Sequence, residues 1–293
     1  MSIQNAEYNP TFATLSKKLP TVYLSHGGGP VFHMEEYEMP MLKDITKHTK
    51  TVDWYRQLSK QLGLDKPETK PSAIVLISAH WESNQAVRIT SRADYPDLLY
   101  DYGGFPAHTY ELKYHVAGSP QLSKQIQSLL TTAGIPCRLD TERNFDHGVF
   151  VPMKLIYPDA DIPIVQISLL VGLSPSMHLA IGKALAPLRQ QNVLIIGSGS
   201  TTHGFNNVNR QKAREFVDTL TSLLTQLSYE EREKSLLEWD KVLPYAKRFH
   251  AREEHLIPLH VVVGAASDGK GTMLYDYLGG TDGTLALTSY KFG

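Results

Sequence analysis

Histidine follows an apolar segment at three places in this chain of 293 residues. The three histidines are His26, His80 and His203. Neutral imidazole is the commonest protein ligand of metal ions, and imidazole also exchanges protons near neutral pH. If the fold brings these three side chains together, they can hold a metal ion or move protons. The sequence predicts a metal site as the first hypothesis.

The three apolar segments are predicted to be buried β-strands, and the ends of these strands position the histidines. His26 and His80 come directly after the last apolar residues of their segments, whereas a Gly/Ser/Thr loop carries His203 a few residues further. Ligands of open α/β sheets sit beyond the carboxyl ends of the strands. The three imidazoles are therefore expected to converge on one crevice at that edge of the sheet.

Strand-like and helix-like segments alternate along the chain, which indicates an α/β fold. We expect a single three-layer α/β/α domain around a mostly parallel or mixed central sheet. The predicted helices include residues 41–64, 120–133 and 229–243. No repeat, low-complexity tract or charged linker marks an internal boundary. The catalytic domain is therefore predicted to cover residues 19–293, after an N-terminal arm of residues 1–18.

Charge and composition favour a small-molecule partner over a nucleic acid or a membrane. The chain has 29 basic and 30 acidic residues, a net charge of −1, and no long basic block. Its single cysteine, Cys137, excludes an intrachain disulfide and a cysteine metal cluster. The first residues lack the apolar core of a signal peptide, and no apolar run approaches the roughly 20 residues that span a bilayer. We expect a cytoplasmic protein, either a monomer or a small homo-oligomer.

Two glycine-containing segments are predicted to contact a substrate. Three glycines follow His26, and glycine permits positive φ and a close backbone approach to a bound molecule. Aromatic residues surround a Gly-Gly pair between residues 100 and 106, either as a plain turn or as an apolar wall over a flat substrate. The predicted substrate-contacting residues are Gly27, Tyr102 and Phe105. The glycine loop matches neither the dinucleotide-binding nor the phosphate-loop pattern.

Ser198 and Ser200 raise the alternative of a serine hydrolase. The nucleophile elbow of that class needs the pattern Gly-x-Ser-x-Gly. Residues 197–201 read Gly-Ser-Gly-Ser-Thr instead. The sequence therefore does not favour a serine nucleophile.

Seven short motifs occur in an order and spacing typical of one enzyme family. They are Ser25–Gly28, Ser78–Trp81, Tyr102–Pro106, Phe145–Gly148, Tyr157–Pro163, Gly199–His203 and Glu253–Leu259. Together they resemble the DOPA-dioxygenase branch of the class III (LigB-type) extradiol ring-cleavage dioxygenases. The resemblance covers roughly residues 19–293. Each motif is short, and the specificity comes from all seven occurring in order.

The resemblance implies a metal-dependent cleavage of a small catechol beside its two hydroxyl groups. It implies that His26, His80 and His255 are the metal ligands of a non-haem Fe(II), with O2 as the second substrate. His203 would be the acid–base residue, and it would become a fourth ligand when no substrate is bound. His147 would contact the substrate or donate a proton to it. The expected product is a ring-opened semialdehyde, and a DOPA-like catechol is the best single guess for the substrate.

The implied ligand set leaves three alternatives open. Enzymes of this class commonly use two histidines and a carboxylate, so Glu253 or Glu254 could take the place of one histidine. A three-imidazole site with an open position is also a normal environment for catalytic Zn(II). The same residues would then serve a zinc-dependent hydrolase with His203 as base. Related folds also include Memo-like proteins, which suggests a non-enzymatic binding or redox role as a third reading.

Overall fold

An eight-stranded mixed sheet forms the centre of the computed structural model, which describes residues 18–204, 208–267 and 269–293. Apart from Lys18, the predicted N-terminal arm of residues 1–18 lies outside the described residues. The strands are β1 (Thr21–Ser25), β2 (Ala73–Ser83), β3 (Val87–Thr90), β4 (Asp94–Tyr95), β5 (Val116–Ala117), β6 (Cys137–Asp140), β7 (Ile164–Leu170), β8 (Val193–Gly199), β9 (Gly271–Tyr275), β10 (Leu278–Gly279), β11 (Leu285–Ala286) and β12 (Ser289–Phe292).

The strand order in the central sheet is β6-β3-β7-β2-β8-β1-β12-β9. The four inner strands β7, β2, β8 and β1 run parallel to one another. Antiparallel pairs flank them, β3 against β7 on one side and β12 against β1 on the other. The sheet is therefore mixed with a parallel centre, as the alternation of strands and helices predicts. The pairs β4–β5 and β10–β11 form two small separate sheets.

Helices cover both faces of the sheet. They are α1 (Lys50–Gln61), α2 (Pro120–Thr132), α3 (His147–Ile156), α4 (Pro175–Leu185), α5 (Arg210–Gln226), α6 (Tyr229–Leu237), α7 (Trp239–Val242), α8 (Ala246–Phe249) and α9 (Ile257–Ala266). Short 3₁₀ helices span Val31–His33, Glu36–Glu38, Pro40–Ile45, Ala107–Glu111 and Ala186–Gln191. No helix in the described ranges is long and apolar enough to cross a membrane.

Alternate residues of the inner strands enter different hydrophobic cores, because successive side chains of a strand point to opposite faces. In β2, Ile74 and Leu76 join the core under α1 and α3. Val75 and Ile77 join the core under α2, α4 and α9 on the other face. The two buried faces make the predicted three-layer α/β/α arrangement, and they explain why β2 reads as a continuous apolar run.

Two of the predicted helices are shorter than their sequence patterns suggest. Residues 41–64 contain a 3₁₀ helix that ends at Ile45, and α1 begins only after Thr49, whose hydroxyl accepts the N–H of Val52. Residues 229–243 are divided at Glu238, whose φ of −115° interrupts the helix between α6 and α7. The prediction for residues 120–133 is confirmed by α2, which begins at a proline after the N-cap Ser119.

Candidate metal centre

The carboxyl ends of three adjacent parallel strands meet at the edge of the sheet where the histidines lie. His26 follows the last residue of β1 directly. His80 lies inside β2 rather than at its end, in the stretch where the pairing register with β7 shifts. His255 comes from the loop before α9, and its carbonyl accepts hydrogen bonds from the Tyr23 hydroxyl and the Ser200 N–H. Strand β1 and the residue that follows β8 thus hold the backbone of His255, which is distant from both in sequence.

The Nε2 atoms of these three histidines converge. Nε2 of His80 lies 2.9 Å from Nε2 of His26 and 3.3 Å from Nε2 of His255. One nitrogen from each ring falls within 4.8 Å of the other two. His26 and His255 are buried, and burial lowers the pKa of His26 well below its usual value and that of His255 to about 3. The imidazoles are therefore neutral at pH 7.

The hydrogen bond behind His26 fixes the tautomer of this ring. Nδ1 of His26 lies 2.9 Å from the Ser198 hydroxyl, and that hydroxyl lies 2.5 Å from the carbonyl oxygen of Gly148. A carbonyl only accepts, so the Ser198 hydroxyl donates its proton to Gly148 and accepts from His26. The His26 proton is on Nδ1, and its Nε2 lone pair points into the cluster.

Carboxylates lie beside Nδ1 of the other two rings. Nδ1 of His255 lies 2.9 Å from Oε1 of Glu254, and Nδ1 of His80 lies 3.6 Å from Oδ2 of Asp101. An ionised carboxylate only accepts hydrogen bonds, so His255 carries its proton on Nδ1. At 3.6 Å the Asp101 carboxylate is too far from His80 for a hydrogen bond, but its charge favours a proton on the side of Nδ1. The Nε2 lone pairs of His26 and His255 therefore both face Nε2 of His80. This arrangement calls for a cation at the point where they meet.

The spacing of the three nitrogens fits a metal ion. Ligand nitrogens at about 2.0–2.1 Å from one ion, separated by angles of about 90–109°, lie about 2.9–3.4 Å apart. The two Nε2 separations of 2.9 and 3.3 Å agree with this range. Carboxylates that hold the outer ring nitrogen are also the usual support of metal-binding histidines.

Glu254 and Glu253 lie away from the point of convergence. Oε1 of Glu254 faces the Nδ1 atoms of His255 and His203, at 2.9 and 3.3 Å. Burial raises the pKa of the Glu254 carboxyl, but hydrogen bonds from these two histidines outweigh it, and the pKa falls well below its usual range. Glu253 instead forms an ion pair with Lys247 at 3.2 Å. The geometry favours three imidazole ligands over two imidazoles and a carboxylate.

His147 and His203 lie on different sides of the three-histidine cluster. The ring of His147 is centred 3.9 Å from that of His80, and its Nδ1 lies 2.8 Å from Oδ1 of Asp101. The ring of His203 stacks on that of His255 with centroids 3.5 Å apart. The His203 side chain is 45% exposed, which leaves it accessible to a bound molecule.

A cavity of about 260 Å³ opens onto the cluster. It is lined by Gly27, Gly28, Gly29, Leu42, His80, Tyr102, Phe105, His147, Ser200, Thr202, His203, His255 and Leu285. Gly27 and Gly29 have positive φ, and a Cβ atom at Gly29 would lie 2.8 Å from the Phe105 ring. The glycine loop therefore lets an aromatic wall approach the backbone beside the cluster. The structure brings all eight predicted site residues to this one place, and their roles stay predictions.

A buried network that the sequence reasoning missed supports the cluster from below. Oδ1 of Asp146 accepts from the Ser78 hydroxyl at 2.7 Å, and Oδ2 accepts from Arg143 at 3.0 Å and from Gln166 at 2.5 Å. Arg143 also donates to the carbonyl of His80 at 2.9 Å. These bonds connect β2 and β7 to the first turn of α3, where His147 begins the helix.

Asp101 and Ser198 also escaped the sequence reasoning. Ser198 was considered only as a nucleophile, and Asp101 lies unremarked inside the aromatic segment that it shares with Tyr102. A carboxylate in a loop full of aromatic residues was the available signal for Asp101. Nothing in the sequence pairs Ser198 with His26, because the pairing depends on the adjacency of β1 and β8.

An α/β sheet that brings three imidazoles together at one edge, beside a cavity open to solvent, has the ligand set and the access of a metal-dependent enzyme site. The family model described as the catalytic LigB subunit of aromatic ring-opening dioxygenase matches residues 20–284. The chain belongs to this family, and it is a ring-cleaving dioxygenase of the extradiol type.

Several relatives are similar over most of the chain. A 4,5-DOPA dioxygenase extradiol from Beta vulgaris is 41% identical over 76% of this chain and 83% of that protein. Dioxygenase tasH from Hapsidospora irregularis is 36% identical over 89% of this chain and 82% of that protein. The crystal structure of an uncharacterized protein from Escherichia coli K12 superimposes with a TM-score of 0.70 and 26% identity, over 94% of this chain and all of that one.

Proposed function

We propose that this protein is an Fe(II)-dependent extradiol dioxygenase that inserts O2 into the ring of a small catechol and releases a ring-opened semialdehyde. The observation that carries the proposal is the convergence of three Nε2 atoms, with the tautomers of His26 and His255 fixed by hydrogen bonds to Ser198 and Glu254. Three neutral imidazoles beside an apolar cavity suit a metal that must keep positions open for two reactants. A cytoplasmic setting, with no nucleic acid or membrane partner, is part of the proposal.

In this proposal His26, His80 and His255 hold the iron. The iron would supply a site at which the catechol oxygens and O2 are activated together. The protons on Nδ1 of His26 and His255 keep the Nε2 lone pairs of these two rings directed at the ion, so most of the ligand set is oriented before the metal enters. Zn(II) would fit the same three nitrogens, and a zinc-loaded sample would be a substituted form, because zinc does not donate electrons to O2.

Two further histidines have the positions needed for proton transfer. His203 is partly exposed at the mouth of the cavity, and Glu254 lies 3.3 Å from its Nδ1. His203 would take the proton of a catechol hydroxyl and return it later in the reaction. His147 donates its Nδ1 proton to Asp101, so its Nε2 would accept a hydrogen bond from the substrate. Tyr102, Phe105 and the backbone at Gly27 would hold the flat ring.

Oxygen consumption tests the proposal. Apo-protein is reconstituted with Fe(II) without air and then mixed with DOPA, caffeate or protocatechuate in air. We expect oxygen uptake together with a new near-visible absorbance from the semialdehyde. The His203→Gln variant should keep the iron but lose most of the turnover, whereas His48→Gln, at a histidine that is 70% exposed and pairs with Glu35, should behave as wild type. Iron binding without uptake for any catechol would contradict the proposal.

A further inference from the structure

A second cavity adjoins the one beside the histidines. Its volume is about 300 Å³, and we call it the annex. The annex is lined by Met39, Met41, Leu42, Gly280, Thr281, Asp282, Thr284 and Leu285. Leu42 and Leu285 line both cavities, so the two cavities share a wall made of two leucine side chains. A substituent on a ring held beside the histidines would reach the annex by passing this pair.

The charges around the two cavities disfavour a carboxylate on the substrate. Among the described residues that line them there is no lysine and no arginine. The annex instead contains the carboxylate of Asp282. A carboxylate that leaves water without a cationic partner loses its hydration and gains nothing in return. In the side chain of DOPA the ammonium group would face Asp282, but the carboxylate would meet no lysine or arginine, so the annex disfavours this side chain through its carboxylate.

The apolar part of the annex suits a hydrocarbon chain. Met39, Met41, Leu42 and Leu285 supply four long apolar side chains, and methionine adapts its shape to an irregular ligand. Met41 is 65% exposed, although it is a large apolar residue. A bound alkyl chain would cover such surface and remove it from water.

We propose that the substrate is a catechol with an uncharged apolar substituent, which lies in the annex beyond Leu42 and Leu285. This inference rests on the proposed function for the position of the ring, and it replaces a DOPA-like substrate with an alkyl-substituted one. The burial of a methylene group changes a transition-state or binding equilibrium by about fourfold. The kcat/KM should therefore rise about fourfold per carbon along 4-methylcatechol, 4-ethylcatechol and 4-propylcatechol.

The test compares substrates that differ only in the tail. Oxygen uptake by the Fe(II)-loaded protein is measured with the three alkylcatechols, with DOPA and with dihydroxyphenylpropionate, the carboxylate counterpart of a short alkyl tail. The dissociation constants of the same compounds are measured by calorimetry on the Zn(II)-loaded protein, which does not turn over. We expect kcat/KM to rise and the dissociation constant to fall from methyl to ethyl to propyl. The two charged compounds should have a kcat/KM at least tenfold lower, and a dissociation constant at least tenfold higher, than 4-propylcatechol.

A charge added to the annex provides the matched variant. Met41→Lys places a cation beside the annex at an exposed position, so the fold should tolerate it. It should raise kcat/KM for dihydroxyphenylpropionate relative to 4-propylcatechol by at least fivefold. Met273→Lys makes the same change on β9, at a residue that is 41% exposed and lines neither cavity, and it should leave the ratio unchanged.

The two measurements separate this inference from the proposed function. If no compound consumes oxygen but the dissociation constants fall from methyl to ethyl to propyl, then the dioxygenase proposal fails, whereas the inference that the annex binds an apolar substituent is supported. If oxygen is consumed but the alkyl series is flat, or DOPA exceeds 4-propylcatechol, then the annex does not select the substrate and the inference is overturned. An equal response of Met41→Lys and Met273→Lys would also overturn it.

Discussion

Removal of the Ser198 hydroxyl should weaken metal binding without touching a metal ligand. In the Ser198→Ala variant the Nδ1–H of His26 loses its acceptor, and His26 is fully buried, so water has no ready access to the vacant place. In the metal-free variant no acceptor stabilises the proton on Nδ1 of His26, so the proton can move to Nε2. Metal binding requires the lone pair on Nε2 of His26, which keeps the proton of this ring on Nδ1. In the variant, the Nδ1–H is therefore buried without an acceptor in the metal-bound form but not in the metal-free form.

The size of this effect follows from the cost of an unpaired buried donor. That cost is about 1–3 kcal/mol, which corresponds to a loss of about 5- to 150-fold in metal affinity. A loss of about 10- to 100-fold, inside this range, is typical when the hydrogen-bond partner of a metal-binding histidine is removed. The Gly148 carbonyl loses its donor in both states, so the variant should also unfold at a lower urea concentration.

Chelator competition with Zn(II) or anaerobic Fe(II) measures the affinity. Ser200→Ala is the matched control, because it removes a hydroxyl two residues away that donates to the Thr202 carbonyl, and it leaves the Ser200 N–H on the His255 carbonyl in place. Its metal affinity should stay within about twofold of wild type. A Ser198→Ala affinity equal to that of Ser200→Ala would refute the argument that the Ser198 hydroxyl fixes the tautomer of His26.

Three further predictions concern other parts of the molecule. Asp101→Asn removes the carboxylate behind His80 and His147, and kcat should fall by about 10- to 100-fold in oxygen-uptake assays, while a fall below threefold would speak against its positioning role. Gly29→Ala adds a Cβ to a residue with φ +56°, 2.8 Å from the Phe105 ring. We expect a loss of stability of at least about 1 kcal/mol in urea unfolding and a higher KM. An unchanged KM would contradict the prediction that Phe105 forms a wall of the substrate cavity. Burial lowers the pKa of His178 to about 4, and its Nε2 accepts the Leu170 N–H. The folded state therefore binds its proton less readily than the unfolded state, so this stability is present above about pH 6.5 and is lost, by up to about 3 kcal/mol, as pH falls towards 4; His178→Gln should flatten that slope in urea titrations, and an unaltered slope would contradict the assignment.

The parallel centre of the sheet could be predicted from the sequence because its strands are buried on both faces. Strands such as β2 and β8 are continuous apolar runs, and the chain gives no comparable signal for shorter strands such as β4 and β10. The helix after Ile45 could not be delimited, because its start depends on the Thr49 cap rather than on apolar spacing. The break at Glu238 is likewise a local backbone feature within a charged, helix-favouring segment.

The part of the candidate site that could be predicted consists of residues whose type alone indicates their chemistry, such as histidine. Histidines at strand ends were visible in the sequence, but His255 lies in a loop and gained its place only through the family resemblance. The supporting residues Ser198, Asp101 and Asp146 could not be assigned, because serine and aspartate are common and their partners are distant in sequence. The leucine wall between the two cavities depends on residues 42 and 285, which only the folded chain brings together.

The most direct test of the account is the product of a single reaction, in which Fe(II)-loaded protein is mixed with excess 4-methylcatechol in air and the products are identified by mass spectrometry and NMR. The account predicts equimolar consumption of O2 and catechol, and a semialdehyde whose ring was opened beside the two hydroxyl groups. Replacement of His80 with Ala should abolish both iron binding and the product. A dicarboxylate from cleavage between the hydroxyl groups, or no oxygen consumption by protein that holds its iron, would contradict the central claim.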